Sequence, residues 1–233
     1  VSKILFIIEL NKLRMDTKSH IQNDRESNAL LGYAHHEAWQ HLANALAWRC
    51  PTKTLLDFYN AHVSARHLDL GVGTGGLLDK CAFPIADPVV VIADLDEKKL
   101  RFAEKRLRRF HPAAYNINML KPFWIRPAGF QSIALNHVLH CLPGDMQSKG
   151  VVFQHVKPLL DHRKNSIVFG STILGKNARH SLFARGLLLA KNASGVFTNN
   201  RDTVWDLENA LKIHFPDYEL RIKGSVALFV GRI

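Results

Sequence analysis

At 233 residues and 47% hydrophobic content, the chain can bury one substantial core with a small accessory part, and a second catalytic domain does not fit. Its three cysteines, Cys50, Cys81 and Cys141, are too sparse for a disulfide framework and lack zinc spacing, so free thiols in a reducing, cytoplasmic setting are expected. A net charge of +11 brings in nucleic acid as a partner to be weighed, because clustered Lys and Arg release counterions from phosphate backbones.

The segment from Val1 to Leu10 is apolar but shorter than a membrane span. Asn11-Lys12-Leu13-Arg14 follows it without a small-residue cleavage pattern, so a packed arm is expected. Tyr33 to Arg49 places Trp39, Leu42, Ala43 and Leu46 at helical intervals, and Pro51 ends that helix or starts the next one, Thr54 to Asn60. These elements read as an N-terminal arm and helical cap over residues 1–60, ahead of a domain over residues 61–233. His35, His36, Glu37 and His41 come nearest to a ligand set. On one amphipathic helix, however, only pairs such as Glu37 and His41 share a face, and no metal is expected.

Arg66 to Leu70 is the first strand. It belongs to the stretch His67-Leu68-Asp69-Leu70-Gly71-Val72-Gly73-Thr74-Gly75-Gly76, which joins an apolar strand, an acid and a glycine-dense turn. Val89 to Ala93 forms a second apolar run that ends in Asp94. Glycines let the backbone turn with positive φ and approach a ligand closely, and a carboxylate at the next strand tip accepts hydrogen bonds from ribose hydroxyls. Gly71, Gly73 and Gly76 also satisfy the dinucleotide fingerprint that cradles a pyrophosphate. Asp69 separates the two readings: an acid before the turn repels a pyrophosphate but suits the cationic amino group of a methionine moiety. The cofactor so implied is S-adenosylmethionine and not NAD.

Further along, Lys98, Lys99, Arg101, Lys105, Arg106, Arg108 and Arg109 fall on a segment whose Leu100, Ala103, Leu107 and Phe110 recur at helical spacing. Such a charge run is ordinarily the solvated face of an amphipathic helix, so nucleic acid is not the expected partner. Ala114 to Asn118, Ser132 to Asn136 and Ser166 to Gly170 continue the strand series. Strands alternating with amphipathic helices argue for an α/β fold, a mostly parallel sheet covered on both faces with right-handed crossovers. Ser171 to Ala193 carries Leu182, Phe183, Leu187, Leu188 and Leu189, and spacing leaves open whether these line an acceptor pocket or a partner surface. Thr203-Val204-Trp205-Asp206 is a capping signal for a helix with Val204, Leu207 and Leu211 on its core face, ending near Pro216. Tyr218 to Ile222 and Val226 to Val230 are separated only by Lys223-Gly224-Ser225, which makes an antiparallel hairpin.

The glycine stretch resembles the first motif of the class I SAM-dependent methyltransferases, acid-x-Gly-x-Gly-x-Gly, here Asp69-Leu70-Gly71-Val72-Gly73-Thr74-Gly75. The likeness runs from about His67 to Ile233. Ala47-Trp48-Arg49-Cys50-Pro51-Thr52 and Leu139-His140-Cys141-Leu142-Pro143-Gly144 are similar to stretches of small-molecule methyltransferases of bacterial and fungal metabolism, and a terminal hairpin on a parallel sheet also resembles the family. The resemblance implies a Rossmann-like fold. Within it, Asp69, Gly71 and Gly73, in the turn that also holds Thr74 and Gly75, surround the methionine portion, while Asp94 holds the ribose and Leu95 packs beside the adenine. Where the family often has an Asp for the adenine amino group this chain has Asn118, whose amide oxygen can accept the same bond. Asn118 also reads as a turn residue, and Asp94 as a cap of the helix that follows. Phe130-Gln131 departs from the Phe-Asp or Tyr-Asp common before the fourth strand.

Asn136 ends that strand and His137 follows, which puts both beside the expected methyl group. Tyr33 and Trp48 are candidates to close over an acceptor, with core packing as the ordinary alternative. A sulfonium methyl is already electrophilic, so aligning the nucleophile and excluding water carry most of the acceleration. A base is needed only where the acceptor loses a proton, and His137 and His140 are the candidates. Nucleic-acid amine methyltransferases commonly carry two prolines and an aromatic here, whereas this chain has Asn136-His137-Val138-Leu139, which disfavours that class. The expectation is SAM-dependent methylation of a small, largely apolar metabolite, with oxygen the favoured acceptor. An enzyme that binds the cofactor but catalyses a cyclisation or dehydration, and an RNA methyltransferase, are the alternatives.

Overall fold

The computed structural model describes Gly32, His35, residues 37–176 and residues 178–233. The apolar segment Val1 to Leu10, Tyr33 and His36 lie outside the described residues. The chain divides into two compact units, Val1–His41 and Leu42–Ile233. In the first, residues 37–41 are helical.

In the second unit, residues 42–46 are helical, and Arg49 turns the chain with φ of 53°. Pro51 then serves as N-cap of α1 (Thr52–His62). Expected as part of the cap, this helix contributes Leu55 and Tyr59 to the core of the second unit. The strands are β1 (Arg66–Leu70), β2 (Val89–Asp94), β3 (Ala113–Asn116), β4 (Ser132–Asn136), β5 (Ile167–Ile173), β6 (Asp217–Lys223) and β7 (Val226–Arg232). The main helices between them are α2 (Gly76–Lys80), α3 (Glu97–Arg106), α4 (Met146–Lys149), α5 (Val151–Val156), α6 (Leu182–Ala193) and α7 (Val204–His214).

The seven strands form one sheet in the order β3-β2-β1-β4-β5-β7-β6. Neighbours from β3 to β5 run parallel, whereas β7 is antiparallel to both β5 and β6. Successive side chains of a strand point to opposite faces, so β2, β4, β5 and β7 each feed two cores. Leu68, Leu70, Val91, Ala93, Ile133 and Leu135 pack on one face with Phe153, Leu211 and Phe229. Val90, Ile92, Ala134 and Phe169 pack on the other with Tyr59, Leu100, Ala103 and Leu107. By the same alternation, His67 and Asp69 of β1 point into the second face.

Strand order reverses between β1 and β4, the one place where the crossovers leave in opposite directions. A crevice at the carboxyl ends of such strands is where open α/β sheets take ligands. Thr203 and Asp206 form the expected capping box of α7, each side chain bonding the other's backbone N–H. On α6, Leu188 is buried while Leu182, Phe183 and Leu189 are exposed. No described helix is long and apolar enough to cross a membrane.

Candidate active site

Four strand tips converge at the switch point. At the tip of β1 the backbone folds through Gly71 (φ 81°) and Gly73 (φ 56°), a conformation costly for residues with a Cβ. The two glycines answer different needs. A Cβ on Gly71 would come within 2.4 Å of Val138 Cγ2, after β4, whereas one on Gly73 would meet nothing within 4 Å. Gly71 therefore lets two strand ends approach, and Gly73 has open space beside its Cα. At Gly75, also expected at the cofactor, a Cβ would lie 3.1 Å from Leu107 Cδ1. Thr74 offers its carbonyl to Arg106 at 3.3 Å.

Asp94 ends β2 and braces this turn. Its Oδ2 accepts the Gly73 N–H at 2.8 Å and its Oδ1 accepts the Asp96 N–H at 2.9 Å. A carboxylate has about four acceptor positions, so capacity remains for hydroxyl donors. The helix cap falls not to Asp94 but to Asp96, which accepts from the N–H groups of Lys98 and Lys99. Leu95, beside Asp94, is 63% exposed and offers an apolar surface. Asn116, missed in the sequence, ties the β2 and β3 tips together by donating to the carbonyls of Asp94 at 3.0 Å and Leu95 at 2.8 Å. Asn118 lies beyond the end of β3, and its Oδ1 accepts the Leu120 N–H at 3.0 Å. This is a turn geometry, which leaves the amide oxygen only part of its accepting capacity.

At the tip of β4, Asn136 Oδ1 accepts from Ser171 Oγ at 3.0 Å, which fixes the amide with Nδ2 turned away. His137 has φ of 55°, a strained position for a residue with a side chain. It is held there by its own N–H, which donates to the Ser171 carbonyl at 2.8 Å. Asn136 Nδ2 and His137 Nε2 are both buried without a hydrogen-bond partner. Burial holds the His137 imidazole down to about 4, hence neutral at physiological pH. His140 is placed differently. It is 2% exposed, its Nδ1 accepts the Ile173 N–H at 3.3 Å, and Phe197 packs edge-on at 4.5 Å. Burial first, then the neighbouring His137 and Lys149, push it well below the usual imidazole range. Trp48 is 3% exposed in a core with Leu55, Ile173 and Leu188, its ring 6.1 Å from Phe197.

Asp69 is 5% exposed and bonded to Tyr59 at 2.8 Å. Burial raises its carboxyl to about 7, with the Asp94 charge adding to the rise and the Tyr59 hydrogen bond opposing it. A cation beside it would restore the ionised form. Among the described residues no group of three His, Cys, Asp or Glu could hold a metal. Part of the basic segment is engaged within the fold, with Arg106 of α3 at 2.9 Å and Arg109, in the turn after it, at 2.5 Å from Asp79.

No protein-family model matches this chain. Demethylluteothin O-methyltransferase of Streptomyces thioluteus is 32% identical over 184 residues, covering 79% of this chain and 79% of that protein. The Physcion biosynthesis cluster O-methyltransferase of Aspergillus chevalieri is 34% identical over 191 residues, covering 81% and 85%. The chain belongs to the SAM-dependent methyltransferases.

Of solved structures, an O-methyltransferase family protein from Burkholderia thailandensis superposes on the methyltransferase with a TM-score of 0.57 at 16% identity, over 78% of this chain. The chain spans 55% of that protein's length, and the likeness is one of fold. The fold is that of the class I enzymes and the cofactor is S-adenosylmethionine. The residues present fit it: room for a ligand above Gly73, spare acceptor capacity on Asp94 and two buried, unpartnered polar atoms lie at or just beyond the tips of β1, β2 and β4. Besides Asn116, sequence reasoning missed Tyr59, His67 and Ser171. Only His67 carried a signal there, a polar residue on the same face of a buried strand as Asp69.

Proposed function

We propose that the methyltransferase methylates an oxygen of a small, largely apolar metabolite, with His137 meeting the acceptor hydroxyl. Bound S-adenosylmethionine supplies an electrophilic methyl on its sulfonium. Asp69 and the Gly71–Gly73 backbone hold the methionine end, Asp94 takes the ribose hydroxyls, Leu95 covers the adenine, and Asn118 lies within reach of the adenine edge. Asn136 Nδ2 donates into the crevice next to the reacting centre.

The observation that carries this reading is the buried, unpartnered Nε2 of His137 on a residue held at positive φ. In the tautomer that leaves Nε2 bare, it accepts a hydrogen bond from the acceptor hydroxyl and turns an oxygen lone pair toward the methyl. With its imidazole held down to about 4, His137 orients the hydroxyl and takes its proton only as the new bond forms. His140, its Nδ1 occupied by main chain, props the end of β5 instead. Phe197, packed against His140, gives the neighbourhood the apolar character that suits a largely apolar, aromatic acceptor, in keeping with relatives named for O-methylation.

Methyl-labelled cofactor and a panel of hydroxylated aromatic compounds test this by mass spectrometry. The label is expected on oxygen, and His137→Ala is expected to lower kcat/KM for the acceptor by about 100-fold with cofactor affinity kept. A product that lacks the label while the cofactor is unconsumed, or full turnover by the variant, contradicts the reading.

A further inference from the structure

Asp69 ends a hydrogen-bonded chain that runs back through the buried face of the sheet. The Tyr59 hydroxyl of α1 donates to Asp69 Oδ2 at 2.8 Å and lies 2.7 Å from His67 Nε2. His67 Nδ1 lies 2.8 Å from Ser132 Oγ, which accepts the Ser64 N–H at 2.9 Å. Tyr59 and His67 are fully buried, with the Phe169 ring 5.2 Å and 6.0 Å from theirs.

A phenol has one hydrogen to give. When Asp69 is ionised that hydrogen goes to the carboxylate, so His67 must carry its proton on Nε2 and donate to the phenol oxygen. Nδ1 is then bare and accepts from Ser132. When Asp69 is protonated every bond reverses: the carboxyl donates to the phenol, the phenol to Nε2, and Nδ1–H to Ser132. The same heavy atoms serve both states, and only the ionised one presents a charge to the crevice.

We propose that Tyr59 and His67 are positioning residues that, through this reversible chain, set the charge with which Asp69 meets the amino group of the cofactor. The proposal rests on the assignment of Asp69 to that amino group. The titratable and charged groups around Asp69 are Tyr59 of α1, His67 of β1, Cys81 after α2 and Asp94 of β2. Burial keeps three of them neutral: the phenol is pushed well above its usual value, His67 is held to about 3, and the Cys81 thiol is raised to about 12. Burial and then the Asp94 charge oppose ionisation and the Tyr59 hydrogen bond favours it, which leaves the Asp69 carboxyl at about 7.

Because a cation binds the ionised form, affinity should rise as pH rises through the Asp69 midpoint and level off above it. Tyr59→Phe removes the donated bond, so its midpoint should move up, by about one pH unit. Calorimetric titration of the intact chain with S-adenosylhomocysteine, from about pH 5.5 to 8.5, reads both. The control ligand is methylthioadenosine, which lacks the amino acid. Wild type should bind the first more tightly with rising pH, approaching tenfold per unit below the midpoint, and the second equally throughout. Near pH 6.5, buffers of different ionisation enthalpy should show proton release on binding the first, a readout that needs no variant. The amino group's own titration is common to wild type and Tyr59→Phe, so the difference between them reports Asp69. A flat wild-type profile, a pH dependence shared by methylthioadenosine, or a folded Tyr59→Phe that weakens binding equally at every pH overturns the proposal. Failure of wild type to bind either ligand overturns the site assignment itself, and the proposal with it.

Discussion

Asp69 and His67 stand on one face of β1 and pull the stability of the fold in opposite directions as pH changes. The folded-state carboxyl of Asp69 is raised from 3.8 to about 7, so between these values the native state holds a proton that the unfolded chain has lost. Its contribution therefore increases as pH falls through that window. His67 is lowered from 6.5 to about 3, as His137 is to about 4, so the unfolded chain takes up protons that the native state refuses. These contributions are present above about 6.5 and lost as pH falls. Asp69→Asn removes only the opposing member. Its stability to urea should fall more steeply than that of the parent between about pH 6.5 and 4, by about 1.4 kcal/mol per pH unit. Equal slopes would mean that Asp69 titrates normally. Tyr59 could not have been read as the partner of Asp69 from sequence, because at helical spacing it is one more core aromatic and only the packing of α1 on β1 joins residues 59 and 69.

At the scale of elements, the segment after β5 is pinned by a buried ion pair. Lys149 of α4 and Asp202 are 0% and 1% exposed and bonded to each other. Lys149 also donates to the Thr198 carbonyl at 3.1 Å, and the Thr198 N–H donates to the His140 carbonyl at 2.9 Å. This arrangement seats Phe197 over His140. Asp202→Ala leaves a buried ammonium without its counter-charge and should cost roughly 3–5 kcal/mol in urea unfolding, while Asp202→Asn, which keeps a hydrogen-bond acceptor, should cost less. Equal losses would assign the effect to packing. Strand limits show which local rules govern. β1 and β4 have the limits that their apolar runs suggest. β3 stops at Asn116, short of the expected Asn118, because its partner β2 ends at Asp94 opposite Asn116, and Asn118 enters a turn through the Leu120 N–H. β5 runs on to Ile173, beyond the expected Gly170. Its parallel pairing with β4 ends at Ser171, but its antiparallel partner β7 continues as far as Val226 opposite Ile173, a long-range support that no local window contains.

For the molecule as a whole, the motif acid on a central strand and the terminal hairpin at one edge of the sheet point to the same architecture, and the observed strand order joins them. Position at a strand tip was legible in the sequence for Gly71, Gly73, Asp94, Asn136 and His137, each of which ends or follows an apolar run. Packing was not legible where one residue type serves two purposes, as with Trp48, whose large ring is buried in a core, and Gly75, which makes room for Leu107. The central claim is that the turn at Gly73 and the carboxylate of Asp94 hold the cofactor. Calorimetric titration of S-adenosylhomocysteine into the parent and into Asp94→Ala tests it most directly, with circular dichroism to establish that both are folded. Saturable binding by the parent and a loss of at least about tenfold, roughly one hydrogen bond to a charged group, in the variant are expected. A folded parent with no affinity, or a variant with parental affinity, would contradict it.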